Sequence, residues 1–111
     1  MILGTTGDAD VGYIVRLFKA GLAEKFQIVD IHPYRHTDQG PEDGLLEDIY
    51  RLRSAIATFG RKQSIIFSEI GWPTSPGYTG GSACYLPVTQ LQQAWFFSRT
   101  LLISRAAGVE R

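Results

Sequence analysis

Two short segments concentrate the side chains able to do chemistry. One reads Asp30-Ile31-His32-Pro33-Tyr34-Arg35-His36 and the other Ser68-Glu69-Ile70-Gly71-Trp72-Pro73. Each lies at the end of an apolar, β-branched run, Phe26 to Ile31 in the first case and Ser64 to Ile70 in the second. A charged glutamate closing Ile65-Ile66-Phe67 is costly to bury alone, so Glu69 must meet a cation, hydrogen-bond donors or a cavity. Its chemistry is that of a carboxylate nucleophile or proton-transfer group; an ion pair with Arg35, Arg61 or Lys62 is the structural alternative. His32 and Tyr34 straddle a proline, which forces extended backbone on His32 and lets both side chains point the same way. They can hydrogen-bond a hydroxylated ligand or the glutamate, or His32 can be a satisfied structural histidine. Trp72, between Gly71 and Pro73, offers an aromatic face for stacking on a pyranose ring, or covers an edge of the core.

Other candidates carry less. His32 and His36 have the spacing of a helical zinc pair, but Pro33 between them opposes a helix, and no metal site is expected. Gly4-Thr5-Thr6-Gly7 matches neither the Walker pattern nor the dinucleotide fingerprint and reads as a tight turn. Cys84 is a spectator thiol with no activating partner in view, and Trp95, Phe96 and Phe97 are assigned to the core.

The elements that must position these groups alternate. Candidate strands lie at Ile2-Leu3, Phe26 to Ile31 and Ser64 to Ile70. A first helix, capped by Asp8 or Asp10, presents Val11, Ile14, Leu17 and Phe18 on one face and stops at Gly21. A second places Leu45, Ile49, Leu52 and Ile56 in register, with Pro41 suited to its first turn, Glu42 and Asp43 complementing its dipole, and Gly60 as a left-handed stop. Next comes a turn-rich loop from Pro73 to Ser82 with Gly77, Gly80 and Gly81. A third helix opens at a Thr89/Gln92 capping box, buries Leu91, Trp95, Leu101 and Leu102, and ends at Gly108. Strand, helix, strand, helix, strand, helix implies parallel strands joined by right-handed crossovers, with the ionisable strand ends at the ligand-binding edge. By the period of two, Ile28, Asp30 and His32 share a face, as do Ile65, Phe67 and Glu69, and Ile28, Ile65 and Phe67 are expected to face one interior.

Composition bounds the function class. The 111 residues carry 11 basic and 11 acidic side chains and no basic run, which argues against nucleic acid as a partner. Aromatic content of 12% argues against disorder. No run approaches a membrane span, and Met1-Ile2-Leu3-Gly4 lacks the features of a secretory signal, so no membrane partner is expected and the compartment stays open. One domain is expected.

At the two strand ends, the chain resembles the retaining glycoside hydrolases built on the (β/α)8 barrel, the clan of cellulases, β-xylosidases and β-1,3-glucanases. Ile65-Ile66-Phe67-Ser68-Glu69-Ile70-Gly71-Trp72-Pro73-Thr74 is similar to the clan's seventh strand, and its Glu-x-Gly-Trp-Pro part resembles the endo-β-1,3-glucanases in particular. His32-Pro33-Tyr34-Arg35 resembles the sixth-strand end of many bacterial members, and Gln93-Ala94, Arg99 and Gly108 to Arg111 their seventh helix and its exit. The resemblance implies an α/β fold that is a partial TIM barrel of about three β/α units, the fifth to seventh strands, with residues 1–111 a single fragment of a catalytic barrel. It implies Glu69 as nucleophile, with His32, Tyr34, Arg35 and Trp72 on a carbohydrate substrate, Tyr34 holding Glu69 in its ionised form, and no cofactor. The clan's Asn-Glu pair, whose glutamate is the acid/base, is missing: no Asn-Glu dipeptide occurs in the chain. The chain by itself is therefore expected to be inactive, with the remaining strands supplied by a parent chain or by self-association. Two other readings stand beside this one, a non-catalytic carbohydrate-binding or scaffold fragment and a metal-dependent hydrolase using Asp30, His32 and Glu69.

Overall fold

In the computed structural model, residues 1–4, 9–35, 39–75 and 86–110 are described. Asp8, His36, Gly77, Gly80, Gly81, Cys84 and all of the Gly4-to-Gly7 turn but Gly4 lie outside them. The chain runs β1 (Ile2–Leu3), α1 (Val11–Lys19), a 3₁₀ turn (Leu22–Lys25), β2 (Ile28–Asp30), α2 (Leu45–Phe59), β3 (Ser64–Ile66) and α3 (Gln90–Ala106). The three strands are parallel in the order β1-β2-β3.

The expected partial (β/α)8 barrel is not what forms. The strands have two, three and three residues, whereas the helices have nine, fifteen and seventeen. The result is a small compact body of three helices on a three-stranded parallel sheet, too small and too helical for a barrel section. Strands this short supply few of the tilted, staggered ladder bonds and stacked interior layers that define a barrel wall.

The helix ends follow local chemistry. Asp10 Oδ1 accepts from the Tyr13 N–H at 2.8 Å to open α1, and Gly21 takes φ 84° just beyond it. Thr89 and Gln92 form the expected capping box of α3, and Gly108, at φ 73°, follows its end. There the Arg53 guanidinium reaches the orphan carbonyls of Ala107 and Gly108 at 2.8 and 2.5 Å. Two punctuation marks differ from expectation. Gly44, left-handed at φ 82°, delays α2 to Leu45 and leaves Pro41 in the preceding turn. Gly60 is extended rather than left-handed, and Lys62 takes the positive φ of 63°.

Strand register sets the core. Leu3 pairs with Val29, and Val29 with Ile65, so these three share the face that α1 and α2 cover with Ile14, Phe18, Leu45, Ile49, Leu52 and Ile56. Ile28 pairs with Ser64 and so lies on the opposite face from Ile65, against the expectation that both line one interior. The outer edge of β3 is partly occupied, since the Glu110 N–H donates to the Ile65 carbonyl at 2.8 Å. The burial expected for α3 is also corrected. Leu91, Trp95, Leu101 and Leu102 are exposed, and the helix instead turns Thr100 and Ser104 inward.

Glu42 and Arg99 form an ion pair between the turn before α2 and α3. Partial desolvation pushes the Glu42 carboxyl up, but its own backbone N–H and the Arg99 guanidinium outweigh this and hold it below its ordinary value. A carboxylate depressed on folding contributes stability above its unfolded pKa and loses it as pH falls through the folded one. Arg99→Gln is therefore expected to cost under about 1 kcal/mol through this pair at neutral pH, both groups being well exposed, and less once Glu42 is protonated, when only the Arg99 guanidinium over the Phe96 ring is lost. Urea unfolding of both proteins at neutral and acid pH checks this; an equal gap at the two would refute it.

Candidate functional site

Asp30 ends β2 on the sheet face away from α1 and α2, and the chain then passes through Ile31 and Pro33, both buried, with a tight turn at Pro33 where the Tyr34 N–H donates to the His32 carbonyl at 2.8 Å. This carries His32 and Tyr34 past the carboxyl end of the sheet. β3 stops at Ile66, and a bend at Ser68 breaks its alternation. The Asp30 carboxylate takes hold of that bend, accepting from the Ser68 N–H at 2.9 Å and from the Ser68 hydroxyl at 2.5 Å. Asp30 as a whole residue is 8% exposed, and two donors from the segment that follows β3 satisfy a charge that would be costly there alone.

This pin turns Glu69 toward β2. The Tyr34 hydroxyl donates to Glu69 Oε1, and His32 Nδ1 lies 3.5 Å from Oε2. His32 Nε2 in turn is 3.0 Å from Ser68 Oγ and 3.8 Å from Asp30 Oδ2. Asp30, Ser68, His32, Glu69 and Tyr34 thus form one connected group. Within it the Glu69 side chain is 60% exposed and open to a ligand, while the side chains of Asp30 and His32, 11% and 23% exposed, form its floor.

The site residues expected from the sequence divide. Glu69, His32 and Tyr34 come together. Arg35 does not join them: its guanidinium bonds Asp48 of α2 at 2.6 Å and is mostly buried. Arg61 pairs with Glu24. Neither arginine offered as a structural partner for Glu69 therefore serves as one. Trp72 is 2% exposed; its ring lies 5.0 and 5.7 Å from those of Phe96 and Phe97, and its indole N–H donates to the Gln39 carbonyl at 3.2 Å. Gln93 donates to the Trp72 carbonyl at 2.6 Å, so the ring fastens the β3 exit to α3 instead of facing a ligand.

Ser68 and the pinning role of Asp30 escaped the sequence reading. A signal was present: an aspartate between Val29 and Ile31 needs donors, and the first residues beyond β3 are the nearest source. Among the described residues no group of three or more His, Cys, Asp or Glu is placed to hold a metal ion, and no helix is long and apolar enough to cross a membrane. Chemically, the group presents an accessible carboxylate with one oxygen held by a phenol and the other beside an imidazole. No family model matches this chain, and comparison with curated proteins and with solved structures found no match.

Proposed function

We propose that Glu69 is the nucleophile in hydrolysis of O-glycosidic bonds in β-linked polysaccharides or oligosaccharides, with retention, and that this chain carries the nucleophile half of such a site. The observation that supports the reading is the Tyr34 hydroxyl on Glu69 Oε1 in a carboxylate left open to solvent. Its Oε1 is oriented by a neutral phenol, and its Oε2 lies beside the His32 imidazole and open to solvent. In the first displacement a Glu69 oxygen bonds the anomeric carbon as the bond to the leaving oxygen breaks, and a carboxylic acid about 5 to 5.5 Å away protonates that oxygen. The same partner, as carboxylate, then takes a proton from water, whose oxygen displaces Glu69. His32 and Tyr34 line the approach and can meet sugar hydroxyls.

The second carboxyl is not offered by this group, because both Asp30 oxygens are engaged by Ser68. With no Asn-Glu dipeptide in the chain, carbohydrate binding without turnover is the reading for the chain acting alone. Both halves are tested by one reagent, a dinitrophenyl 2-deoxy-2-fluoro-β-glycoside, whose leaving group departs without protonation. The 111-residue chain is expected to be labelled at Glu69, slowly and without turnover, since general acid-base assistance is worth about 10² to 10⁴-fold. Peptide mapping should place the label within Ser68 to Gly71. Label on Asp30 or another carboxylate, or none, would overturn the assignment.

A further inference from the structure

The Asp30–Ser68–His32 chain has a direction, and that direction decides which ring nitrogen of His32 carries the proton. Asp30, as a carboxylate, only accepts. It takes the Ser68 N–H on Oδ1 and the Ser68 O–H on Oδ2, at 2.9 and 2.5 Å. With its one hydrogen committed to Asp30, Ser68 Oγ can only accept from His32 Nε2, 3.0 Å away. Nε2 therefore bears the proton in neutral His32, and Nδ1 turns a lone pair toward Glu69 Oε2 at 3.5 Å.

We infer that Asp30 and Ser68 are positioning residues for Glu69: by fixing neutral His32 as the Nε2–H tautomer, they keep Oε2 free of a donor while Tyr34 holds Oε1. Oε2 is then the oxygen that attacks. A proton on Nδ1 would place an N–H donor before that oxygen and tie up the lone pair that must form the new bond. The assignment of a role in attack rests on the nucleophile reading of Glu69, whereas the tautomer does not.

Asp30→Asn should reverse the chain. The Ser68 backbone N–H still requires an acceptor, which orients the amide with its oxygen toward that N–H and its NH₂ toward Ser68 Oγ. Ser68 then accepts from Asn and donates to His32 Nε2, and the ring proton moves to Nδ1. Long-range ¹H–¹⁵N correlation on the full chain, above the imidazole titration range, reads this directly. In the wild type the Nε2 resonance should be that of a protonated nitrogen and Nδ1 that of an unprotonated one, with the two exchanged in Asp30→Asn. Ser68→Ala, at an exposed position, should lose the wild-type preference, and Ser68→Thr should restore it.

Labelling by the fluoroglycoside should slow by about tenfold or more in Asp30→Asn, by the loss of roughly one good hydrogen-bond's worth of discrimination at Oε2. An Nδ1–H tautomer in the wild type, or unchanged tautomers in both Asp30→Asn and Ser68→Ala, would overturn the inference. If wild-type Glu69 is not labelled while the tautomers exchange as described, the nucleophile reading fails and the positioning of His32 stands. If labelling proceeds at the wild-type rate despite an exchanged tautomer, the role assigned to Oε2 is the part refuted.

Discussion

Trp72→Ala is expected to lower stability by about 3 to 5 kcal/mol, the range for truncating a fully buried large aromatic. The indole is 2% exposed and packs against two phenyl rings, one tilted and one edge-on, so its removal opens a cavity bordered by Phe96 and Phe97. It also leaves the Gln39 carbonyl without its donor. Trp95 supplies the control, since it is 53% exposed and Trp95→Ala should change stability by no more than about 0.5 kcal/mol. Urea unfolding followed by far-ultraviolet circular dichroism measures both. Losses of similar size for the two tryptophans would show that Trp72 is not the fastening described. Because Trp72 follows Glu69 by three residues, the same variant should weaken the Tyr34–Glu69 contact and slow labelling of Glu69.

Leu52→Ala is expected to cost about 2 to 5 kcal/mol. Leu52 is completely buried on the inner face of α2, in one cluster with Val29 and Ile65. In a domain of this size each kilocalorie moves the thermal midpoint by roughly 4 to 8 °C, so a fall of about 8 °C or more should be seen by calorimetry. Leu46 lies on the same helix but 40% exposed, and Leu46→Ala should fall within about 0.5 kcal/mol of wild type. A Leu52→Ala loss below about 1 kcal/mol would mean that α2 does not seal the sheet as described.

The parts of this molecule that were legible in the sequence are those decided within a few residues. The Asp10 cap, the Thr89/Gln92 box and the stops at Gly21 and Gly108 depend on local hydrogen bonds and on φ, and they form as read. The parallel strand order follows from alternation of strand and helix. Misreadings begin where distant segments meet. Placing Ile28 and Ile65 on one face required knowing the register, which a one-residue shift inverts. Arg35 was drawn toward the strand end by proximity in sequence, whereas Asp48, one helix away, holds it. The inner face of α3 was assigned from its largest apolar residues, but the helix meets the body through Phe96, Phe97 and Gln93 around Trp72 and through Thr100 and Ser104. His32 and Glu69 do meet, though not by strand alternation: the bend that Asp30 fixes at Ser68 turns Glu69 toward them.

That bend lies between two parts of unequal grip. Below it, β1, β2, β3, α1 and α2 share a continuous apolar core. Above it, α3 leaves Leu91, Trp95, Leu101 and Leu102 in solvent, reaches that core only near its end through Ile103 and Ala107, and is fastened by the Trp72 cluster, the Glu42–Arg99 pair and the Arg53 fork. A helix that leaves this much of its apolar surface in solvent is expected to open at lower free energy than the layer beneath it. Ser68 is anchored to the firm unit by Asp30, and Trp72 is anchored to the loose one. Glu69 sits on the span between them, while His32 and Tyr34 belong wholly to the firm side. Partial release of α3 therefore pulls on the span that carries the carboxylate, and on the turn before α2 through Gln39 and Glu42, while the Asp30–Ser68 pin stays in place.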